Sequence, residues 1–225
     1  MAYVTKFVPE EFLNIPTHGT IQYHPSLLPL HRGPSSINWP IIMGSTKTGL
    51  SIFWPDNGLD TGPIVLQKEV DIGPDDTLGS VYFNKLLPMG VDAMLEGVDL
   101  VAAGKAPREI QDESKQTYES WCRKDDAKID WSKPVAEVYN LIRGTNPQPG
   151  AWTTVSGAEL KVFDVAKVDG TGTPGDVVSV GEDGVTVQAA GGRILLKRVR
   201  ADGGKIPAAE WAAAAGIKAG MKFGG

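Results

Sequence analysis

TIQYHPSLLPLHRGPSSINW, residues 20–39, decides how the amino-terminal half is read. It opens as a short strand of β-branched and aromatic residues and breaks at His24, because Pro25 holds the preceding residue extended and turns the chain away. A histidine at the carboxyl end of a strand stands at the edge where open α/β sheets place their ligands. Further on, NGLDTG sets Asp60 in a glycine-flanked loop after the strand-like SIFW. Two neighbouring strand ends are expected to bring imidazole and carboxylate together, the carboxylate orienting the ring and stabilising its protonated form for acid/base work. Plainer roles stand beside this one: a ring that caps a turn, and a turn carboxylate that accepts a backbone N–H.

Outward from this stretch, TGLSIFW and PIVLQKEVDI read as two more strands, and SSINWPIIMG as a short helix or loop that Pro40 keeps from lengthening. MAYVTKF is strand-like as well. TLGSVYFNKLLPMGVDAMLEGVDLVAAGK carries apolar residues at threes and fours, which predicts a long amphipathic helix bent at Pro88 and closed by Gly104. Strands alternating with helices predict a parallel-rich α/β sheet. Past Tyr118 the pattern changes to one short helix, SKPVAEVYNLIRG, capped by Ser132 or Asp130. AWTTV, ELKVFDVAKV, GDVVSV, GVTVQAA and RILLKRVR then follow at close spacing, the signature of a small barrel or sandwich. The aperiodic polar stretch at residues 107–120 predicts the boundary between a domain at 1–112 and another at 113–225.

Composition narrows the function classes. Residues 1–118 hold 8 Lys and Arg against 14 Asp and Glu, and the whole chain carries −5, so it offers no general basic footprint for nucleic acid. RILLKRVR is basic, but its charges interleave with Ile, Leu and Val as on the solvated face of a strand. No apolar run approaches the length of a membrane span, and no leader pattern is evident at the amino terminus, so the expectation is a cytoplasmic protein. One cysteine, Cys122, and three histidines leave little material for disulfides or a metal site.

HPSLLPLHRGPSSINW and TGLSIFWPDNGLDTGPIVLQKE together resemble the signature of the folate-dependent formyltransferase family. AKIDWSKPVAEVYNLIRGTNPQPGAWTTV is similar to the family's carboxy-terminal module. The likeness is greatest to the formyl-hydrolase domain of 10-formyltetrahydrofolate dehydrogenase, with methionyl-tRNA formyltransferase as the alternative. The resemblance implies a partial Rossmann-like sheet domain followed by a small open β-barrel of OB-like form. It implies 10-formyltetrahydrofolate as formyl donor, with no metal and no NAD(P). The formyl group passes to water or to an amine, and His24 and Asp60 stabilise the tetrahedral intermediate. Gln22 takes the place of the asparagine that the transferases put two residues before the histidine. Ser26 shapes the wall beside His24, and Trp54, Pro55, Asp56 and Asn57 match the folate-contacting loop. A tRNA partner is possible without being favoured. The resemblance leads to the expectation that the family's opening βα units are missing ahead of MAYVTKF, so that the chain begins partway through the domain and is prone to self-association. A folate-binding module without catalysis is the remaining reading.

Overall fold

In a computed structural model describing residues 1–2, 4 and 6–224, the chain divides into one unit of residues 1–40 and 45–121 and a second of 41–44 and 122–225. The first is mixed α/β. After the short helix α1 (Glu10–Leu13), its sheet contains β1 (Gln22–His24), β2 (Lys47–Phe53) and β3 (Ile64–Asp71) in that order. A short helix α2 (Asn38–Ile42) lies in the β1–β2 connection. Both strand pairs are antiparallel, which corrects the parallel-rich expectation. For β2 and β3 the physical reason is connection length: residues 54–63 join them, too few for a parallel crossover. Of MAYVTKF, Tyr3 and Thr5 lie outside the described residues, and the described remainder is not a strand. Met1 nonetheless bonds along the edge of β1, its ammonium to Ile21 O and its carbonyl to Tyr23 N–H, in the pattern of a parallel pair.

Burial explains the strand sequences. The middle strand, β2, is buried on both faces after Lys47, hence the near-continuous apolar run GLSIF, whereas β3 after Val65 alternates partly buried residues with exposed ones. Strand parity sorts the side chains between two faces. Ile21, Leu50, Ile52 and Val65 share a core with Ala93 of the long helix, while Gln22 and His24 face a cavity. That helix is continuous from α3 (Leu78–Val81) through a π turn at Tyr82–Leu86 into α4 (Leu87–Ala102). Thr77 and Ser80 form a reciprocal capping box at its start. The π turn precedes Pro88, which lacks an N–H and crowds the preceding turn, and Leu87 N–H instead reaches Tyr82 O. Gly104, in the left-handed region, follows its end, as the sequence predicts.

The second unit begins its helix α5 (Val135–Gly144) after Pro134, later than expected. Neither Ser132 nor Asp130 caps it: the Asp130 carboxylate accepts the N–H and hydroxyl of Ser132, closing a local turn that precedes the helix. Two four-stranded antiparallel sheets follow. One orders β11 (Ile206–Pro207), β10 (Arg198–Arg200), β5 (Ala158–Val162) and β4 (Ala151–Val155), and the other β6 (Val165–Val168), β9 (Gly192–Leu196), β8 (Gly184–Ala189) and β7 (Val177–Gly181). The segments read as single strands, ELKVFDVAKV and RILLKRVR, each bend at a corner, Phe163–Asp164 and Lys197, and pass from one sheet to the other. Backbone bonds from Phe163 N–H to Arg198 O and from Lys197 N–H to Asp164 O carry the ladder round the bend. At the opposite side, Val155 bridges Phe223 and Asp176 bridges Lys222, so the last residues span the free edges of β4 and β7. A helix that was not anticipated, α6 (Ala208–Ala215), runs from Pro207 to the left-handed Gly216 and buries Trp211. No described helix is long and apolar enough to cross a membrane.

Candidate active site

β1 places His24 at its end, 5% exposed, with Gln22 two residues earlier on the same face. The turn that follows is stapled to the sheet. Ser26 N–H returns to His24 O, the Ser26 hydroxyl donates to Leu30 O at 2.6 Å, and Ser51 of β2 donates to Ser26 O at 2.7 Å. That turn aims the backbone carbonyl of His31 at the ring, 2.9 Å from Nε2. A carbonyl only accepts, so Nε2 carries the hydrogen and donates it. The other nitrogen, Nδ1, lies 3.6 Å from Asp60 Oδ2. This is ion-pair range but long for a hydrogen bond.

Asp60 is 8% exposed and takes a left-handed backbone (φ 56°), as does His31 (φ 55°). Such conformations cost a non-glycine residue about 1–3 kcal/mol and collect at functional sites, where surrounding bonds hold them. Here the bonds are explicit. Asp60 Oδ2 accepts the Gly33 N–H at 2.9 Å, and the Asp60 carbonyl accepts Nε2 of Gln111 at 2.9 Å. Gly33 itself admits no side chain: a Cβ there would lie 2.4 Å from Glu119 O, and its φ is 105°.

Burial pulls the His24 pKa below its ordinary value, outweighing the Asp60 charge and the His31 carbonyl, which both raise it; a weaker effect of the His31 ring also lowers it. At neutral pH the ring is therefore neutral, with hydrogen on Nε2 and a lone pair on Nδ1. The sequence leaves the charge state of this ring open, and Asp60 can favour the protonated form only against this burial. Desolvation of a ring this buried exceeds the attraction of a single carboxylate across 3.6 Å.

A cavity of about 460 Å³ opens over this pair. Its lining includes Gln22, His24, Pro55, Asp56 and Asp60, together with Tyr118 from the far end of the unit. Asp56 also organises its loop, accepting from Gly58 N–H and the Thr61 hydroxyl. Three of the residues assigned to substrate do not line it. Trp54 is packed in the core, its indole N–H on Pro107 O and its ring beneath Arg108 at 4.1 Å, because its strand parity points it to the helix side. Ser26 is fully buried within its turn, and the Asn57 amide turns outward to Glu10. Cys122 is half-buried, its thiol pushed up to about 11 chiefly by burial, which leaves it protonated and inert at neutral pH.

Several residues at the site escaped the sequence reading. Arg32, 5% exposed, bonds Gln111 and clamps Glu113 at 2.9 and 2.6 Å, while the His31 ring meets Glu119 at 3.0 Å. Residues 107–120, read as a boundary, form a strap: Glu109 pairs with Ile64 in both directions, Arg32 N–H donates to Thr117 O, and Glu119 N–H donates to Arg32 O. The one available signal was the density of hydrogen-bonding side chains in EIQDESKQTYE, which a linker does not require.

Comparison with known proteins identifies the family. Residues 1–98 match the family model described as formyl transferase, and residues 122–216 the one described as formyl transferase, C-terminal domain. The mouse mitochondrial 10-formyltetrahydrofolate dehydrogenase is 39% identical over 222 residues, covering 94% of this chain and 24% of that protein. The chain thus spans about a quarter of the length of such relatives. Methionyl-tRNA formyltransferase of Geobacter sulfurreducens is 38% identical over 220 residues, covering 97% of this chain and 69% of the relative. Among solved structures, HypX from Aquifex aeolicus in complex with tetrahydrofolic acid shares the fold, with a TM-score of 0.77 at 20% identity over 94% of this chain and 37% of that one. An N-formyltransferase from Helicobacter canadensis does so at 0.64 and 22% over 78% and 65%. With both units matched in order along the sequence, and a relative of which it covers more than two thirds, the chain belongs to the formyl transferase family.

Proposed function

We propose that the chain moves a formyl group from 10-formyltetrahydrofolate to water, giving formate and tetrahydrofolate, with His24 and Asp60 as the reacting pair. The observation that carries this reading is geometric: the His24 ring is anchored through Nε2–H, and its Nδ1 and the Asp60 carboxylate face each other in the wall of a ligand-sized cavity. Tetrahydrofolic acid bound to a protein of the same fold, and the dehydrogenase relatives, support the donor. Pro55 and Asp56 contact the folate, and Ser26, Trp54 and Asn57 hold the surrounding turns.

The chemistry follows from the arrangement. Water attacks the formyl carbon as its proton passes to the Nδ1 lone pair, and the carbonyl electrons move to oxygen. The imidazolium formed is held by the Asp60 carboxylate, and its Nδ1–H, with the Gln22 amide, faces the developing oxyanion. Collapse breaks the carbon–N10 bond and N10 takes the proton back from Nδ1, so the ring returns to its starting form; the second water proton leaves on formic acid, which ionises to formate in solvent. Asp60 therefore pairs with a charge that exists only during the reaction, which favours the transition state over the resting enzyme.

An amine acceptor needs the same proton route, and the likeness to methionyl-tRNA formyltransferase favours charged tRNA as the second reading. Release of tetrahydrofolate by the purified chain, in water and then with charged initiator tRNA, separates the two. Turnover in water that His24→Ala abolishes is the expected result; turnover only with tRNA replaces hydrolysis by transfer, and turnover that survives His24→Ala removes both.

A further inference from the structure

The geometry points to Gln111 as a positioning residue that sets the reach of the Asp60 carboxylate toward His24, an inference that rests on the formyl-transfer reading. Gln111 is 5% exposed, and its amide has one possible orientation. Arg32 offers only donors, and its Nε and Nη2 meet Gln111 Oε1 at 3.2 and 2.8 Å. Nε2 must then face the other way, where it donates to the carbonyls of Asp60 at 2.9 Å and Gly62 at 2.8 Å. Glu113 holds the guanidinium in place from outside. The result is a relay, Glu113 to Arg32 to Gln111 to the backbone of Asp60, in which charged groups at one end fix a neutral amide at the other.

The tethered backbone is the left-handed one, flanked by Gly62, where a Cβ would fall 1.7 Å from Trp54 O. Without the Gln111 amide, two buried carbonyls lose their donor and the Asp60 carboxylate is left with the Gly33 N–H as its remaining tether. Gln111 touches no reacting atom; it acts through Asp60. The charged and titratable groups facing His24 are Asp60 from the loop and the His31 ring from the turn, with Glu119 of the strap behind His31.

Nuclear magnetic resonance titration of the His24 ring tests this without needing turnover. The downward shift in the His24 midpoint caused by Asp60→Asn is measured in three backgrounds: wild type, Gln111→Met and Gln111→Glu. Because each background is compared with itself, the charge of the glutamate cancels. A positioning role shrinks the Asp60→Asn shift in both variant backgrounds; an undiminished shift in a folded variant overturns it, as does the absence of any shift in wild type. Gln111→Glu retains the Arg32 partner and serves if Gln111→Met fails to fold. Kinetically, both variants are expected to lower kcat by about 10- to 100-fold with KM within about twofold, the scale of a misplaced catalytic group. A collapsed Asp60→Asn shift in an enzyme that releases no tetrahydrofolate would retain the relay and remove the formyl-transfer reading instead.

Discussion

His24 lies between two acceptors, a fixed carbonyl on Nε2 and a carboxylate opposite Nδ1, yet burial keeps it neutral. This balance makes a pH prediction with a definite sign. The active form is the unprotonated ring, so kcat/KM should be flat at neutral pH and fall on the acid side at a midpoint below 6.5, the ordinary histidine value. Removing the Asp60 charge by Asp60→Asn removes a raising influence, so the acid limb should move lower still while kcat falls by roughly 10²-fold or more. A pH–rate profile checks both; an acid limb above 6.5, or one that rises in Asp60→Asn, is incompatible with a neutral resting base. That His24 and Asp60 lie near one another was suggested only weakly by strand-end and turn signals, and more by the likeness of their two motifs to a known family. The ring's charge state was not legible, since it depends on burial contributed by residues scattered from the opening segment to the strap. Trp54 escaped for a related reason: an aromatic beside a binding loop reads as ligand contact until the parity of the strand leading into it is known.

At the scale of elements, the long helix was readable from its period, but the way it meets the sheet depends on glycines that carry no periodic signal. Gly90 and Gly97 sit over Tyr23 and over Ile21 and Ile52, where added Cβ atoms would lie 2.8 Å from Tyr23 Cε2 and 3.1 Å from Ile52 Cγ2. Ile52 has no exposed surface and no room to yield. Gly97→Val should therefore destabilise the first unit by about 1–3 kcal/mol through overpacking, although it replaces a poor helix former. Urea denaturation measures this, and an unchanged or raised midpoint would mean that the helix can lift from β1 and β2 without cost. The strap at residues 107–120 marks the limit of pattern reading at this scale. Apart from one tight turn at Glu113–Lys115 it has no regular element; its long-range backbone bonds go to Ile64 at the start of β3 and to Pro29 and Arg32, and it has neither the alternation of a strand in a ladder nor the period of a helix. Its polar side chains look solvated in sequence, and only the fold reveals that Gln111 is enclosed and Arg32 is its partner.

For the whole molecule, the carboxy-terminal strands were recognisable from alternation and glycine turns, whereas their sharing between two sheets was not, because a bend at Phe163–Asp164 or Lys197 leaves the alternating pattern nearly intact. The core those sheets enclose is drawn from residues 129–223 alone, with Trp131 and Trp211 each packed edge-on to Phe223, which is 2% exposed. A core complete within one segment is the requirement for folding as a domain. Residues 122–225 expressed alone should accordingly unfold in one cooperative transition, with near-ultraviolet circular dichroism reporting the fixed indoles. Phe223→Ala removes the ring both tryptophans pack against and should cost about 3–5 kcal/mol, enough to abolish that transition in a segment of this size. Tetrahydrofolate should leave the midpoint of the isolated segment unmoved, since a ligand stabilises only what it binds and the cavity residues all precede Cys122. A segment that melts without cooperativity would show that its core needs residues 1–121 to form, and a midpoint raised by tetrahydrofolate would put a folate site where the cavity is not.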